Sequence, residues 1–160
     1  RIPTVALRYF NVYGPRQSGR AFIPNVITQV MSDAKVLELG NLKPTRDYTF
    51  VRDTCRGFLA IAGCEAFNGR AVNIAMGEEH SMAEVASLIQ HIAGTSLPIK
   101  VDADRMRPDA SEVYRLLGSS ALLREQTGWK PAYTLKQGLT ETIDWIRSNR
   151  GRYTRNGYLF

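Results

Sequence analysis

The sequence predicts a small mixed α/β domain rather than a complete doubly wound α/β fold. Strand-like and helix-like segments alternate along the chain without the regular strand–helix–strand repeat that builds a parallel sheet. No Gly-x-Gly-x-x-Gly turn joins a strand to a helix, so the sequence lacks the signature of a dinucleotide-binding half. With 160 residues, 44% of them apolar, the chain is long enough for one core, and we treat residues 1–160 as one domain.

The first half of the chain alternates short apolar runs with two segments of helical periodicity. The first run is apolar and aromatic and leads into a turn with asparagine, glycine and proline, which predicts a buried strand. Apolar residues spaced three and four positions apart predict amphipathic helices. The predicted strands are residues 5–10, 36–40 and 48–50, and the predicted helices are residues 22–33 and 52–66.

Two capping boxes indicate helix starts in the second half. Ser81 is followed three positions later by Glu84, and Thr134 by Gln137, so each pair can satisfy two backbone amides at a helix start. The predicted helices are residues 84–93, 120–127 and 135–147, and the predicted strands are residues 71–75 and 98–101. Beyond residue 147 the chain is polar, and we expect this tail to be poorly fixed.

Charge and composition narrow the class of partner. The formal charge of +6 suits an anionic partner, but most arginines are scattered singly, which favours a small anionic ligand over nucleic acid. No apolar run approaches the roughly 20 residues that span a bilayer, and the amino terminus lacks a signal-peptide pattern. We therefore expect a cytoplasmic protein with no membrane partner.

The two cysteines predict neither a disulfide nor a metal site. Cys55 and Cys64 lie nine positions apart on one predicted helix, which places them on different faces and too far apart to bridge. Neither has metal-ligand spacing to the two histidines, His80 and His91. We expect reduced thiols and no bound metal.

Three sequence stretches resemble one known family when they are taken together. The stretches are RYFNVYGP at residues 8–15, RDYTFVRD at residues 46–53, and RPDASEV at residues 107–113, followed by GWKP at 128–131 and LKQGL at 135–139. They resemble segments of the extended short-chain dehydrogenases that act on nucleotide sugars. The last pattern is most similar to NAD-dependent 4,6-dehydratases, and the resemblance covers roughly residues 4–147.

The resemblance implies that the chain is the carboxy-terminal, substrate-binding half of such an enzyme. In this family the amino-terminal half binds NAD and carries a catalytic tyrosine with a lysine four positions later. None of the seven tyrosines here has a lysine at that position, so we predict no catalytic residue in this chain and no activity of the chain alone. The expected partner is a nucleotide-diphosphate sugar, and the full-length form is expected to be a homodimer.

Three alternatives for the complete protein stay open at this point. The resemblance favours an NAD-dependent nucleotide-sugar 4,6-dehydratase, which oxidises the sugar at C4 and then eliminates water. A nucleotide-sugar 4-epimerase is the nearest alternative, because the residues that perform elimination belong to the other half. A non-catalytic protein that retains the nucleotide-sugar site is the third.

The resemblance assigns the substrate diphosphate to three polar side chains. Asn11 would donate from its amide, and Arg46 and Arg107 would each offer a planar guanidinium suited to phosphate oxygens. The alternatives are an Asx turn at Asn11, a surface pair between Arg46 and Asp47, and Arg105 in place of Arg107.

Apolar positions complete the predicted site. The resemblance places Phe22, Leu37 and Leu39 beside the nucleotide base, and Tyr9 and Phe10 beside the nicotinamide. Tyr9 and Phe10 could equally belong to the core, and apolar residues at the spacings of Phe22, Leu37 and Leu39 are more often core residues. For Glu112 the prediction is a structural salt bridge, with a contact to the ribose as the alternative. Relatives usually have a polar residue where Ala21 stands, so the contact to the base is the least constrained part of this prediction.

Overall fold

The computed structural model of the chain describes residues 2–102, Arg105 and residues 112–153. The strands are β1 Ala6–Tyr9, β2 Val12–Tyr13, β3 Leu37–Leu39, β4 Thr45–Arg46, β5 Thr49–Phe50, β6 Ala71–Ile74, β7 His80–Ser81, β8 Ile99–Val101 and β9 Arg115–Leu116. The helices are α1 Phe22–Val30, α2 Val51–Ala62, α3 Met82–Ala93, α4 Ala121–Thr127 and α5 Leu135–Ser148. The predicted small mixed α/β fold is confirmed.

The strands form several very small sheets instead of one continuous sheet. β1 pairs with β6, β2 with β5 and β3 with β8, all in parallel. β4 is the central strand of a three-stranded sheet, antiparallel to β7 and parallel to β9. In this sheet Arg46 lies opposite His80 on one side and Leu116 on the other. Strands this short gain few ladder hydrogen bonds, so helix packing has to hold them in place.

Two hydrophobic clusters form the core. The larger one is built from α1, α3 and α5, which pack against one another and against the aromatic side chains of Tyr13 and Phe50. The smaller one lies between α2, α4 and β6, and its buried members are Ile61, Phe67, Val72, Ile74, Leu123 and Trp129. Both predicted capping boxes are confirmed, at the starts of α3 and α5.

The second helix is shorter than the periodicity predicts. α2 ends at Ala62, and a separate turn of 3-10 helix covers Glu65–Phe67. Gly63 directly follows α2, and the change of direction lets Phe67 reach the smaller core, where it is fully buried. The prediction that Cys64 lies on the same helix as Cys55 was therefore wrong, although both cysteines are free.

The described part of the tail is held by aromatic packing. Arg150–Arg152 form a 3-10 turn, and the ring of Tyr153 meets that of Trp145 edge-on at 5.8 Å. The Tyr153 hydroxyl donates a hydrogen bond of 2.9 Å to the backbone oxygen of Gln17. The prediction of a poorly fixed tail was wrong up to Tyr153, and residues 154–160 lie outside the described residues.

Close packing of α5 against β2 and β5 makes Gly138 a sensitive position for stability. A methyl group on Gly138 would overlap the Tyr13 hydroxyl and lie 2.8 Å from Cδ2 of Phe50, and both rings are almost fully buried. We expect Gly138→Ala to lower the free energy of unfolding by about 1–3 kcal/mol, because the overlap outweighs the better helix propensity of alanine. Urea denaturation measures this change.

Thr140→Ala on the exposed face of the same helix is the matched control. It should change the free energy of unfolding by less than about 0.5 kcal/mol. An unchanged or higher stability of Gly138→Ala would contradict the close packing of α5 against Tyr13.

Candidate functional site

One cavity of about 400 Å³ lies beside the amino-terminal half of α1. Its lining includes the first turn of α1 and the end of β3 with the turn that follows. The loop after β1 and the strand β4 also contribute to the lining. Its volume falls within the range of roughly 300–1,000 Å³ that is typical of small-molecule sites. Four predicted residues line it together: Asn11, Phe22, Leu39 and Arg46.

Arg46 is part of a buried ion pair in the cavity wall. Its Nη2 lies 3.2 Å from Oε1 of Glu112, with side-chain exposures of 9% and 7% for the two partners. Its Nη1 donates to the backbone oxygen of Thr45 at 2.8 Å. These two contacts use only part of a guanidinium that has five N–H donors, so further donors are available to a ligand. The structural salt bridge predicted for Glu112 is confirmed.

Asp47 does not pair with Arg46, which was the alternative considered from the sequence. It is fully buried and accepts hydrogen bonds from the backbone amides of Met76 (2.8 Å), Gly77 (2.9 Å) and Gly118 (3.3 Å). This carboxylate therefore joins the loop after β6 and the loop after β9 to the end of β4. The side chain fixes the strand that carries Arg46.

Two polar atoms in the cavity wall have no hydrogen-bond partner among the described residues. They are Nδ2 of Asn11, an N–H donor, and Oε1 of Gln17, an acceptor, and both atoms are buried. The other end of the Gln17 amide donates to the backbone oxygen of Val12 at 2.9 Å, which fixes its orientation. Buried polar atoms without partners are rare in folded proteins, and a bound ligand is one of the explanations for them.

The charged residues of the cavity favour an anion. Among the described residues that line it, Arg20, Arg46 and Arg105 stand with one carboxylate, that of Glu112, which gives an excess of two positive charges. Nε of Arg105 lies 3.0 Å from Oδ2 of Asp102, so this arginine is held at the cavity rim by a carboxylate outside the lining. Arg107, which was preferred to Arg105 from the sequence, lies outside the described residues.

Tyr48 provides a neutral wall next to Arg46. Burial raises the pKa of its phenol above the ordinary value, and the nearby positive charge of Arg46 offsets this only in part. Its hydroxyl donates to the sulfur of Met82 at 3.0 Å. A phenol in this state stays protonated at neutral pH, so it can shape the cavity but is poorly suited to proton transfer there.

Three of the predicted residues do not line the cavity. Leu37 is fully buried in the larger core. Tyr9 is 59% exposed at the end of β1, with its ring 6.1 Å from that of Phe58. Phe10 is half-buried and lies against Gly118, where an added methyl group would come within 2.7 Å of the Phe10 ring.

Sequence reasoning missed several polar residues of the cavity. Gln17 and Asn25 were not predicted, and Arg105 was placed second to Arg107. Asn25 did leave a signal, since it is a polar residue inside the otherwise apolar first turns of α1. Gln17 left none, because its position depends on the turn between β2 and α1.

Some classes of site are absent from the described residues. No cluster of three or more metal-ligating side chains occurs in residues 2–102, Arg105 and residues 112–153. Within the same ranges, no helix has the length and apolar character needed to cross a bilayer. The cavity beside α1 is therefore the candidate functional site.

Comparisons with known proteins agree on one family. The family described as GDP-mannose 4,6 dehydratase matches residues 1–142. UDP-glucose epimerase YtcB of Bacillus subtilis, itself uncharacterised, is 31% identical over 92% of this chain and 45% of its own length. GDP-6-deoxy-D-mannose reductase of Pseudomonas aeruginosa is 33% identical over 86% of this chain and 46% of its own length. The chain thus spans about half the length of these curated relatives.

A solved structure shows the same fold. UDP-glucuronic acid 4-epimerase from Bacillus cereus, in complex with UDP-glucuronic acid and NAD, is 27% identical and superposes with a TM-score of 0.81. The match covers 92% of this chain and 46% of that chain. The relatives thus include proteins named for dehydration, epimerisation and reduction, and their names alone do not select one of these reactions.

Proposed function

The chain belongs to the extended short-chain dehydrogenases that modify nucleotide sugars, and on this basis we propose that its cavity binds the nucleoside diphosphate of such a substrate. The observation that carries the proposal is the buried Nδ2 of Asn11, which has no hydrogen-bond partner in the described part of the chain and lines the same cavity as the buried guanidinium of Arg46. An amide donor and a guanidinium together suit the oxygens of a pyrophosphate.

The lining of the cavity suits the two parts of a nucleotide. Phe22 and Leu39 supply apolar walls for the base, and the arginines supply charge for the phosphates. Arg107 remains part of the proposal as a phosphate ligand, with Arg105 as the alternative. Leu37 lies behind the base wall in the core and would support Leu39 without touching the ligand.

For the complete protein we propose an NAD-dependent nucleotide-sugar 4,6-dehydratase, with a 4-epimerase as the alternative. Both reactions begin with oxidation of the sugar at C4, where NAD accepts hydride. The family description supports the dehydratase, and the names of the matching relatives support the epimerase equally. The catalytic groups would come from another part of the protein, so we propose that the isolated chain is inactive. We also propose that the complete protein is a homodimer.

The described residues fit a limited contact with NAD. Tyr9 has an exposed ring at the end of β1, and Phe10 follows it directly. The exposed ring of Tyr9 can lie against a flat nicotinamide ring, whereas Phe10, as the next residue of an extended segment, points to the opposite face. Neither ring provides a site for the phosphates of the cofactor. We therefore propose that this chain contributes only these contacts, and that most of the NAD site belongs to another part of the protein.

Asn11→Leu tests the proposed diphosphate site with little expected effect on folding. The substitution removes a buried donor without a partner, so the free energy of unfolding should stay within about 1 kcal/mol of wild type. Affinity for UDP should fall about tenfold, because one hydrogen bond to a charged phosphate is lost. Isothermal titration calorimetry on the complete protein measures the affinity, and thermal unfolding measures the stability.

Asn68→Leu is the control for this substitution, because Asn68 is exposed and does not line the cavity. It should leave UDP binding unchanged. Wild-type affinity in Asn11→Leu would remove the amide from the proposed site and leave the cavity with arginines only.

A further inference from the structure

A chain of side-chain amides runs from β3 through α1 to the cavity. Gln29 pairs with both backbone groups of Glu38: its Nε2 donates to the Glu38 oxygen at 3.1 Å, and its Oε1 accepts from the Glu38 amide at 2.9 Å. A backbone N–H can only donate and a backbone carbonyl can only accept. The backbone of β3 therefore determines which end of the Gln29 amide is nitrogen.

The orientation of Gln29 determines that of Asn25. The Gln29 Nε2 group also donates to Oδ1 of Asn25 at 2.8 Å. Since Gln29 has to donate here, Asn25 has to present its oxygen towards Gln29. The contact with Gln29 does not use the NH2 group of Asn25, and this group makes no hydrogen bond within the part of the chain that the structure describes. Asn25 is half-buried and lines the cavity, so the cavity receives a donor.

Asn25 stands beside the two apolar walls proposed for the base. It follows Phe22 by three positions on α1, which places both side chains on one face of the helix. Leu39 lines the same cavity from β3. A flat ring between Phe22 and Leu39 would turn its edge towards the Asn25 amide. Ala21, one turn earlier on the same face, lines the cavity but offers no polar group there.

We propose that Asn25 is a specificity-determining residue that donates a hydrogen bond to the C4 carbonyl of a pyrimidine base, or to the equivalent C6 carbonyl of guanine. Gln29 acts as a positioning residue that holds Asn25 in the donating orientation. The cavity would then prefer uracil, thymine or guanine over cytosine or adenine, because an amino group at that edge would face the amide donor. This inference rests on the proposed nucleoside-diphosphate site.

UDP and CDP are the probes that isolate this contact, because they differ at ring position 4 and carry the same ribose and diphosphate. Calorimetry on the complete protein should give a preference for UDP of about tenfold, the order expected when a donor loses its acceptor. Asn25→Asp replaces the NH2 group with an oxygen. It should shift the UDP-to-CDP affinity ratio towards CDP, whatever the added negative charge does to both affinities.

Gln29→Glu is the stronger test, because Gln29 does not line the cavity and is linked to it through Asn25. Glutamate cannot donate to Asn25, so the Asn25 amide should rotate, donate to the new carboxylate and present its oxygen to the cavity. The UDP preference should disappear or reverse. Gln29→Met removes the hydrogen bond that orients the Asn25 amide without favouring the reverse orientation. The ratio of UDP affinity to CDP affinity should therefore fall towards one. Thermal unfolding of each variant confirms that the affinity ratios come from folded protein.

The outcomes separate this inference from the proposed function. Tight binding of both nucleotides with equal affinity, weakened alike by Asn11→Leu, would overturn the role of Asn25 and leave the diphosphate site intact. Binding of neither nucleotide would overturn both. A UDP preference that Asn25→Asp abolishes and a folded Gln29→Glu retains would overturn the positioning role of Gln29.

Discussion

Asp47→Ala is expected to lower the free energy of unfolding by about 3–5 kcal/mol. The carboxylate is fully buried and accepts from the amides of Met76, Gly77 and Gly118. Each buried amide left without an acceptor costs about 1–3 kcal/mol, and the three costs do not add fully because the loops can relax. Urea denaturation followed by circular dichroism measures the change.

Two further variants show where the effect comes from. Asp47→Asn keeps one acceptor oxygen but turns an NH2 group towards an amide, so it should lose about half as much stability. Asp144→Ala removes an exposed carboxylate that pairs with Arg147, and it should change stability by less than about 1 kcal/mol. An Asp47→Ala protein as stable as the Asp144→Ala control would contradict the bracing role of Asp47.

The helices could be predicted from the sequence because their signals are local. The periodicity of α1 and the capping boxes of α3 and α5 lie within the segments that form them. The two-residue strands could not be predicted in this way. β4 exists because it pairs with β7 and β9, which lie far away in sequence, and two residues carry no periodicity.

The site could be predicted in part, and the reasons differ from residue to residue. Leu37 and Leu39 share a face of β3, but Leu37 lies roughly 6.6 Å further from the turn at the cavity, by the usual rise per strand residue. Strand periodicity cannot show where along a strand a cavity begins. The ion-pair partner of Arg46 could not be predicted from the sequence either, because Glu112 is 66 positions away and only the folded chain brings the two residues together.

Arg46→Met is expected to weaken both folding and nucleotide binding. It leaves the Glu112 carboxylate buried without its partner. Loss of one partner of a buried ion pair lowers the free energy of unfolding by about 3–5 kcal/mol. It also removes the guanidinium proposed to hold the diphosphate, so UDP affinity should fall by about tenfold or more. Denaturation and calorimetry on the same preparation measure the two losses, but neither loss alone distinguishes a structural arginine from a ligand-binding one.

The double variant Arg46→Met with Glu112→Leu separates these two roles. Replacing a buried ion pair by apolar side chains of similar size is often neutral or stabilising, so the free energy of unfolding should return to within about 1–2 kcal/mol of wild type. Binding of UDP should stay as weak as in the single variant, because no guanidinium returns to that wall of the cavity. Recovery of both stability and affinity would mean that Arg46 serves only to neutralise Glu112, and the phosphates would then have to be held by the remaining arginines.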